Sequence, residues 1–209
     1  MTNEDRTLLY RWLAKVFSNE FSMEDLQWYR SDAGRDFFSA SEEIPAIARP
    51  VSHLSSLLTR DDKPVADLHF ELVRSFNRLY NNGASVRSIP PYESFYREGL
   101  LMRNASQKMA EKLQTSGLSL RQPQELPDHI SVELEFMAHL TQDDSEEGMN
   151  RQREFLQQHL SWLPGFCADC RDRNEGGVYA ATAEILMALL EADRVALAAP
   201  LSVETIVHS

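Results

Sequence analysis

Cysteine, glycine, positive charge and long apolar runs are all in short supply in this chain, and each shortage closes off a class of function. Two cysteines in 209 residues, placed together as Cys167-Ala-Asp-Cys170, make no disulfide framework, and a reducing cytoplasm is the expected location. With eight glycines, none falls in a Gly-x-x-x-x-Gly-Lys phosphate loop. The longest purely apolar stretches, such as Ile185 to Leu190, fall well short of the roughly 20 residues a membrane span takes. Residues Met1 to Arg6 are polar and acidic and lack the apolar core of an export signal. Lys and Arg number 21 against 32 Asp and Glu, a net charge of −11. Nucleic acid and anionic membrane surfaces are therefore poor partners, and a basic or neutral one is favoured.

What is present is helical periodicity. Hydrophobic residues make up 43% and charged residues 25%, the balance of a globular protein with a real core. Leu8, Leu9, Trp12, Leu13, Val16 and Phe17 form one face of a helix capped by Thr2 or Asn3. Ser22 to Asp25 starts a second, short helix ending at a Ser31–Gly34 turn, and another follows Pro50. Pro64 opens a longer helix with Val65, Leu68, Leu72, Phe76 and Leu79 inside, ended by Asn81-Asn82-Gly83. A helix from Asn104 to Ser116 closes on Gly117. Further helices are expected over 128–141, 146–163, 166–171 and 178–196, with a break at Pro164-Gly165. No segment alternates like a strand. The expectation is an all-α bundle of roughly ten helices, arranged as halves 1–117 and 128–209. An extended hinge at 118–127, carrying Pro123 and Pro127, joins them into one domain.

Two segments are candidates for a site. In Glu125–Phe136, "ELPDHISVELEF", Asp128 suits the N-cap or first turn of a helix, with Leu126 and Ile130 spaced to staple its start. Ile130, Leu134, Met137 and Thr141 line the inner face, with Glu133 and Glu135 directed elsewhere. The Asp128–His129 pair is equally the kind of pair used in acid–base or metal chemistry. No nucleophile or second Cys/His pair accompanies it, and Glu135 and His139 lack the repeated Glu-x-x-His of a di-iron bundle, so no metal is expected. The Cys167–Cys170 spacing lacks the βαβ context of a redox motif. In Tyr92-Glu93-Ser94-Phe95-Tyr96, behind Pro90-Pro91, the aromatics serve either as a wedge into the core or as the wall of a peptide groove.

Together, "YESFY" at Tyr92–Tyr96 and "ELPDH" at Glu125–His129 resemble the paired motifs of the TorD/DmsD family, cytoplasmic chaperones of molybdenum-cofactor enzymes. The likeness continues in "ISVELEFMAHL" and "FLQQHLSWLPGFCADC" and is nearest to the branch serving trimethylamine N-oxide reductase. Pro127 lies one place later than the family element has it, whereas Glu125, Asp128 and His129 keep their spacing. The resemblance implies binding without covalent chemistry: the chaperone holds an apo-molybdoenzyme and its twin-arginine signal peptide, and delays export until the cofactor is inserted. It implies a peptide-binding face of Tyr92, Glu93, Ser94, Tyr96, Glu125, Pro127, Asp128 and His129, with Asp128 facing a leader arginine. It also implies weak guanine-nucleotide binding, for which the sequence offers no loop; no cofactor is expected. The alternatives are an all-α hydrolytic or nucleotide-dependent enzyme using the Asp128–His129 dyad, or a plain helical adaptor. Exchange of helical halves across the stiffened hinge would give a homodimer.

Overall fold

The computed structural model describes residues 1–81, 88–120 and 125–198; Asn82, Gly83 and Pro123, named above, lie outside them. Among the described residues the chain is all-α. Its helices are α1 (Asn3–Ser18), α2 (Met23–Arg30), α3 (Asp32–Glu42), α4 (Ala48–Leu58), α5 (Val65–Phe76), α6 (Glu93–Glu98), α7 (Asn104–Thr115), α8 (Ile130–Leu140), α9 (Glu146–Gln158), α10 (Leu163–Arg173) and α11 (Val178–Ala198). None of them is long and apolar enough to cross a membrane.

Local chemistry sets most of the boundaries. Thr2 and Asp5 form a reciprocal capping box at α1, and Ser22 and Asp25 repeat it at α2. The Ser31–Gly34 turn is not an end but a start: Ser31 accepts from Gly34 N–H and opens α3. Glycine is required there, because a Cβ on Gly34 would lie 2.2 Å from the Trp28 carbonyl oxygen. Gly117, at φ +68°, follows α7 in the left-handed region. A second correction concerns Pro164-Gly165. It does not break a helix but begins α10, since a proline in the first turn has no N–H to leave unpaired. Accordingly α9 ends at Gln158, earlier than expected.

A π-helical turn, Asn77–Asn81, extends α5 and buries both Leu79 and Tyr80. Tyr80 packs on Phe76, Phe166 and Tyr179 with ring centroids 5.0 to 6.0 Å apart, joining α5 to α10 and α11. Helix α1 lies along α8, and α11 lies against α10, α4 and α9, so the segments before and after residue 117 share one hydrophobic core. Cys167 and Cys170 are buried and free within it. Burial pushes both thiols up, Cys170 to about 12, which makes them packing residues rather than reactive ones.

One buried ion pair crosses this core. Arg6 on α1 donates from Nε and Nη2 to the two oxygens of Asp193 on α11, both at 2.8 Å, and Tyr10 Oη donates to Asp193 Oδ2 at 2.8 Å. Asp193 has no exposed surface and Arg6 only 6%. Removing one partner strands a buried charge, so Arg6→Met is expected to cost about 3–5 kcal/mol in urea unfolding, whereas Arg6→Met with Asp193→Leu costs much less.

Candidate functional site

Pro90 and Pro91 favour extended backbone ahead of them, and Tyr92 continues it at φ −130°, ψ 132°. This strand-like residue meets the chain entering α8. Tyr92 and His129 form an isolated antiparallel bridge: Glu93 N–H donates to Asp128 C=O at 3.0 Å, and Ile130 N–H donates to Pro91 C=O at 2.8 Å. The two sequence motifs are thus bonded to each other through their backbones.

The Asp128 side chain completes the joint. Helix α6 receives no side-chain cap from its own N-cap, Tyr92. Asp128 Oδ2 supplies it, accepting from Ser94 N–H at 2.9 Å across a separation of 34 residues. The expectation that Asp128 caps its own helix is therefore corrected. His129 is the N-cap of α8, its Nδ1 accepting from Ser131 N–H at 3.2 Å and lying 2.7 Å from Ser131 Oγ. Among the described residues no hydrogen bond joins the Asp128 carboxylate to the His129 ring.

Glu93, next in line, is 2% exposed. Its carboxylate binds Arg97 through Oε1 and lies 3.0 Å from His159 Nδ1 through Oε2. Arg97 then reaches Gln158 C=O at 2.6 Å and Ser161 Oγ at 2.7 Å, pinning α6 to the end of α9. Tyr96 leaves the motif's other members and turns to α10, donating to Asp169 Oδ2 at 2.7 Å and packing on Trp162 at 5.1 Å. Burial, then the Asp169 bond, raises its phenol well above the usual range.

Of the residues expected at a peptide-binding face, Ser94 and Asp128 have no exposed surface, and Glu93 and His129 have almost none. Tyr92, Tyr96, Glu125 and Pro127 are half-buried. The Tyr92 ring stands edge-on to His129 at 5.0 Å, and its hydroxyl points to Glu125 at 3.4 Å. Burial, then Glu125, pushes that phenol up to about 12. Glu125 also borders a cleft of 460 Å3 whose other walls include Leu118, Leu120, Val132 and Glu135. Pro127 lines a smaller neighbouring hollow of 300 Å3 with Leu113 and Leu118.

Glu133 is the residue the sequence reading placed wrongly. It is fully buried, with Oε2 accepting from Trp162 Nε1 at 2.8 Å. Burial, then the neighbouring Glu93, raises its carboxyl well above the ordinary range. Part of the signal was present, since "ISVELEFMAHL" is mostly apolar and only Glu135 and His139 in it are exposed. Arg97 carried no motif, and although His159 and Trp162 lie in "FLQQHLSWLPGFCADC", their meeting with Glu93 and Glu133 is created only by the fold.

Two measurements check this joint. Asp128→Ala, which leaves Ser94 N–H buried and unpaired, is expected to lose about 1–3 kcal/mol in urea unfolding, and Asp128→Asn, which keeps an acceptor, less. Burial lowers the pKa of His129, against the opposing pull of Glu125 and Asp128. The unfolded chain then binds more protons, so this contribution is present above about pH 6.5 and lost as pH falls below it. His129→Gln is expected to flatten that part of the stability–pH curve.

The comparisons with known proteins agree with this architecture. Residues 44–168 match the family model described as nitrate reductase delta subunit. The chain is 31% identical over 203 residues to the chaperone protein TorD of Vibrio cholerae serotype O1, covering 92% of this chain and 91% of that one. It is 32% identical over 207 residues to the chaperone protein TorD of Aliivibrio salmonicida, covering 91% and 94%. Its fold is shared with a crystal structure from Archaeoglobus fulgidus assigned to redox enzyme maturation, at TM-score 0.53 and 24% identity, covering 93% of this chain and 94% of the other. With motifs, fold and relatives in accord, the chain belongs to the nitrate reductase delta subunit family, alongside the TorD chaperones.

Proposed function

We propose that this protein is a cytoplasmic maturation chaperone for a molybdenum-cofactor reductase, binding the apo-enzyme and its twin-arginine signal peptide. The cognate enzyme is trimethylamine N-oxide reductase, in keeping with the TorD relatives. The action is binding and release, with no covalent step.

The observation that carries the peptide reading is the 460 Å3 cleft beside the motif joint. Its half-buried Leu118, Leu120 and Val132 offer apolar surface, and Glu125 and Glu135 stand at its walls. A twin-arginine leader has a basic front and an apolar core, so both of its parts find complementary chemistry there. Arg11 and Lys15 also line the cleft, which would orient the leader by keeping its arginines toward the glutamates. Asp128, Glu93, Ser94 and His129 act from beneath: closed to solvent, they fix where Tyr92 and Glu125 stand. This changes the expectation of a direct Asp128–arginine contact into a positioning role for Asp128.

Burying three Leu-sized side chains yields roughly 5–9 kcal/mol gross, and ordering the leader offsets part of it. A dissociation constant of about micromolar order follows, weak enough for the cargo to be passed on. Titration calorimetry with a twin-arginine leader peptide tests the reading. Glu125→Gln with Glu135→Gln is expected to weaken binding about tenfold and to reduce its salt dependence, and Val132→Asp to weaken it further. Unchanged affinity in both folded variants would remove the cleft from the peptide site.

A further inference from the structure

Three buried side chains converge where α6, α8 and α9 meet. Glu93 opens α6, Glu133 lies in the first turns of α8, and His159 follows the end of α9. Their exposures are 2%, 0% and 3%. One potential ligand atom from each lies within 4.8 Å of the other two. Two of these groups, Glu93 Oε2 and His159 Nδ1, are 3.0 Å apart. That is a hydrogen-bond distance, and it is also about the separation of two ligands at right angles on an ion with bonds of about 2.1 Å.

The surrounding bonds have the form of an outer ligand shell. Arg97 holds Oε1 of Glu93, and Trp162 holds Oε2 of Glu133. Each carboxylate thus has one oxygen fixed from behind and one left for the cluster, as metal-bound carboxylates do. Oε1 of Glu133 is fully buried and has no hydrogen-bond donor among the described residues. Arg97 balances Glu93 from one side, so it is the second buried carboxylate, Glu133, that calls for a proton or a cation beside it. The imidazole at 3.0 Å favours a cation, since it turns a carboxyl pair into a nitrogen–oxygen donor set suited to zinc, manganese or ferrous iron. A route from solvent exists too, for Glu93 and His159 line an open cleft of 680 Å3 between α6, α7 and α9.

We propose that Glu93, Glu133 and His159 form a binding site for a divalent first-row transition cation, seated under the motif joint and loaded through the α6–α7–α9 cleft. The two carboxylates neutralise the ion's charge. The ion replaces the His159–Glu93 contact and ties three helices together. This assignment does not depend on leader binding, and the two stand or fall separately.

Cobalt(II) serves as the probe, titrated into chelator-treated protein and followed by its visible absorption. The expected result is a saturable band at one equivalent, displaced by zinc, with zinc raising the melting temperature of the same sample. Glu133→Gln and His159→Gln should each weaken cobalt binding at least tenfold while circular dichroism remains helical. Trp162→Phe, which removes only the outer donor, should weaken it by about 10–100-fold. The wild-type titration decides the matter even where a variant fails to fold. Absence of a one-equivalent band and of any zinc-induced thermal shift would overturn the site and leave a shared proton between Glu93 and Glu133. Intense near-ultraviolet bands of cobalt–thiolate bonding would overturn it as well, by assigning the ion to Cys167 and Cys170. So would tight binding that survives in folded Glu133→Gln.

Discussion

A carboxylate with no access to water holds the start of a helix 34 residues away, and the middle of this molecule is organised around that bond. Helix α6 has six residues, too few to be stable alone. Asp128 satisfies its Ser94 N–H, the backbone pairing of Tyr92 with His129 fixes its direction, and Gly99 at φ +74° ends it. Everything that α6 carries then has a defined place: Glu93 against His159, Arg97 against the end of α9, Tyr96 against α10.

The joint is costly in the way buried polar groups always are. Glu93, Ser94, Asp128, His129, Ser131, Glu133 and His159 all lie inside, close to one another in a core that is mostly aliphatic and aromatic. Stability alone does not call for this, because well-packed apolar residues serve a core as well or better. Several polar atoms there, Ser94 Oγ, Asp128 Oδ1 and Glu133 Oε1, are buried without a hydrogen-bond partner among the described residues. Polar groups kept under such a penalty call for a reason other than stability, such as local order or a ligand. By contrast, the Arg6–Asp193–Tyr10 cluster is fully matched in its hydrogen bonds and serves as an internal brace between α1 and α11.

The fold was largely legible because its signals are local. The capping boxes at Thr2–Asp5 and Ser22–Asp25, the stripe Leu68–Leu72–Phe76–Leu79 and the glycine after α7 are each read within one or two helical turns. The misreadings have local causes too. Ser31 and Pro164 are residues that can end one element or begin the next, and only the neighbouring chain decides which. Helix α3 escaped notice because Gly34, Ser39 and Ser41 dilute its apolar pattern, which rests on Phe37 and Phe38.

The candidate site divides along the same line. Sequence by itself determined the all-α class, the acidic balance and the two motif segments, because composition, helical period and motif spacing are properties of the chain in order. It could not determine that Asp128 caps α6 rather than α8, that Glu133 is buried, or that His159 lies beside Glu93. Those facts depend on residues 29 to 66 positions apart meeting in space, with the surrounding helices deciding which carboxylates keep their water and which lose it. Electrostatic environment is set by burial and by neighbours across the fold, and both are created only when the helices pack.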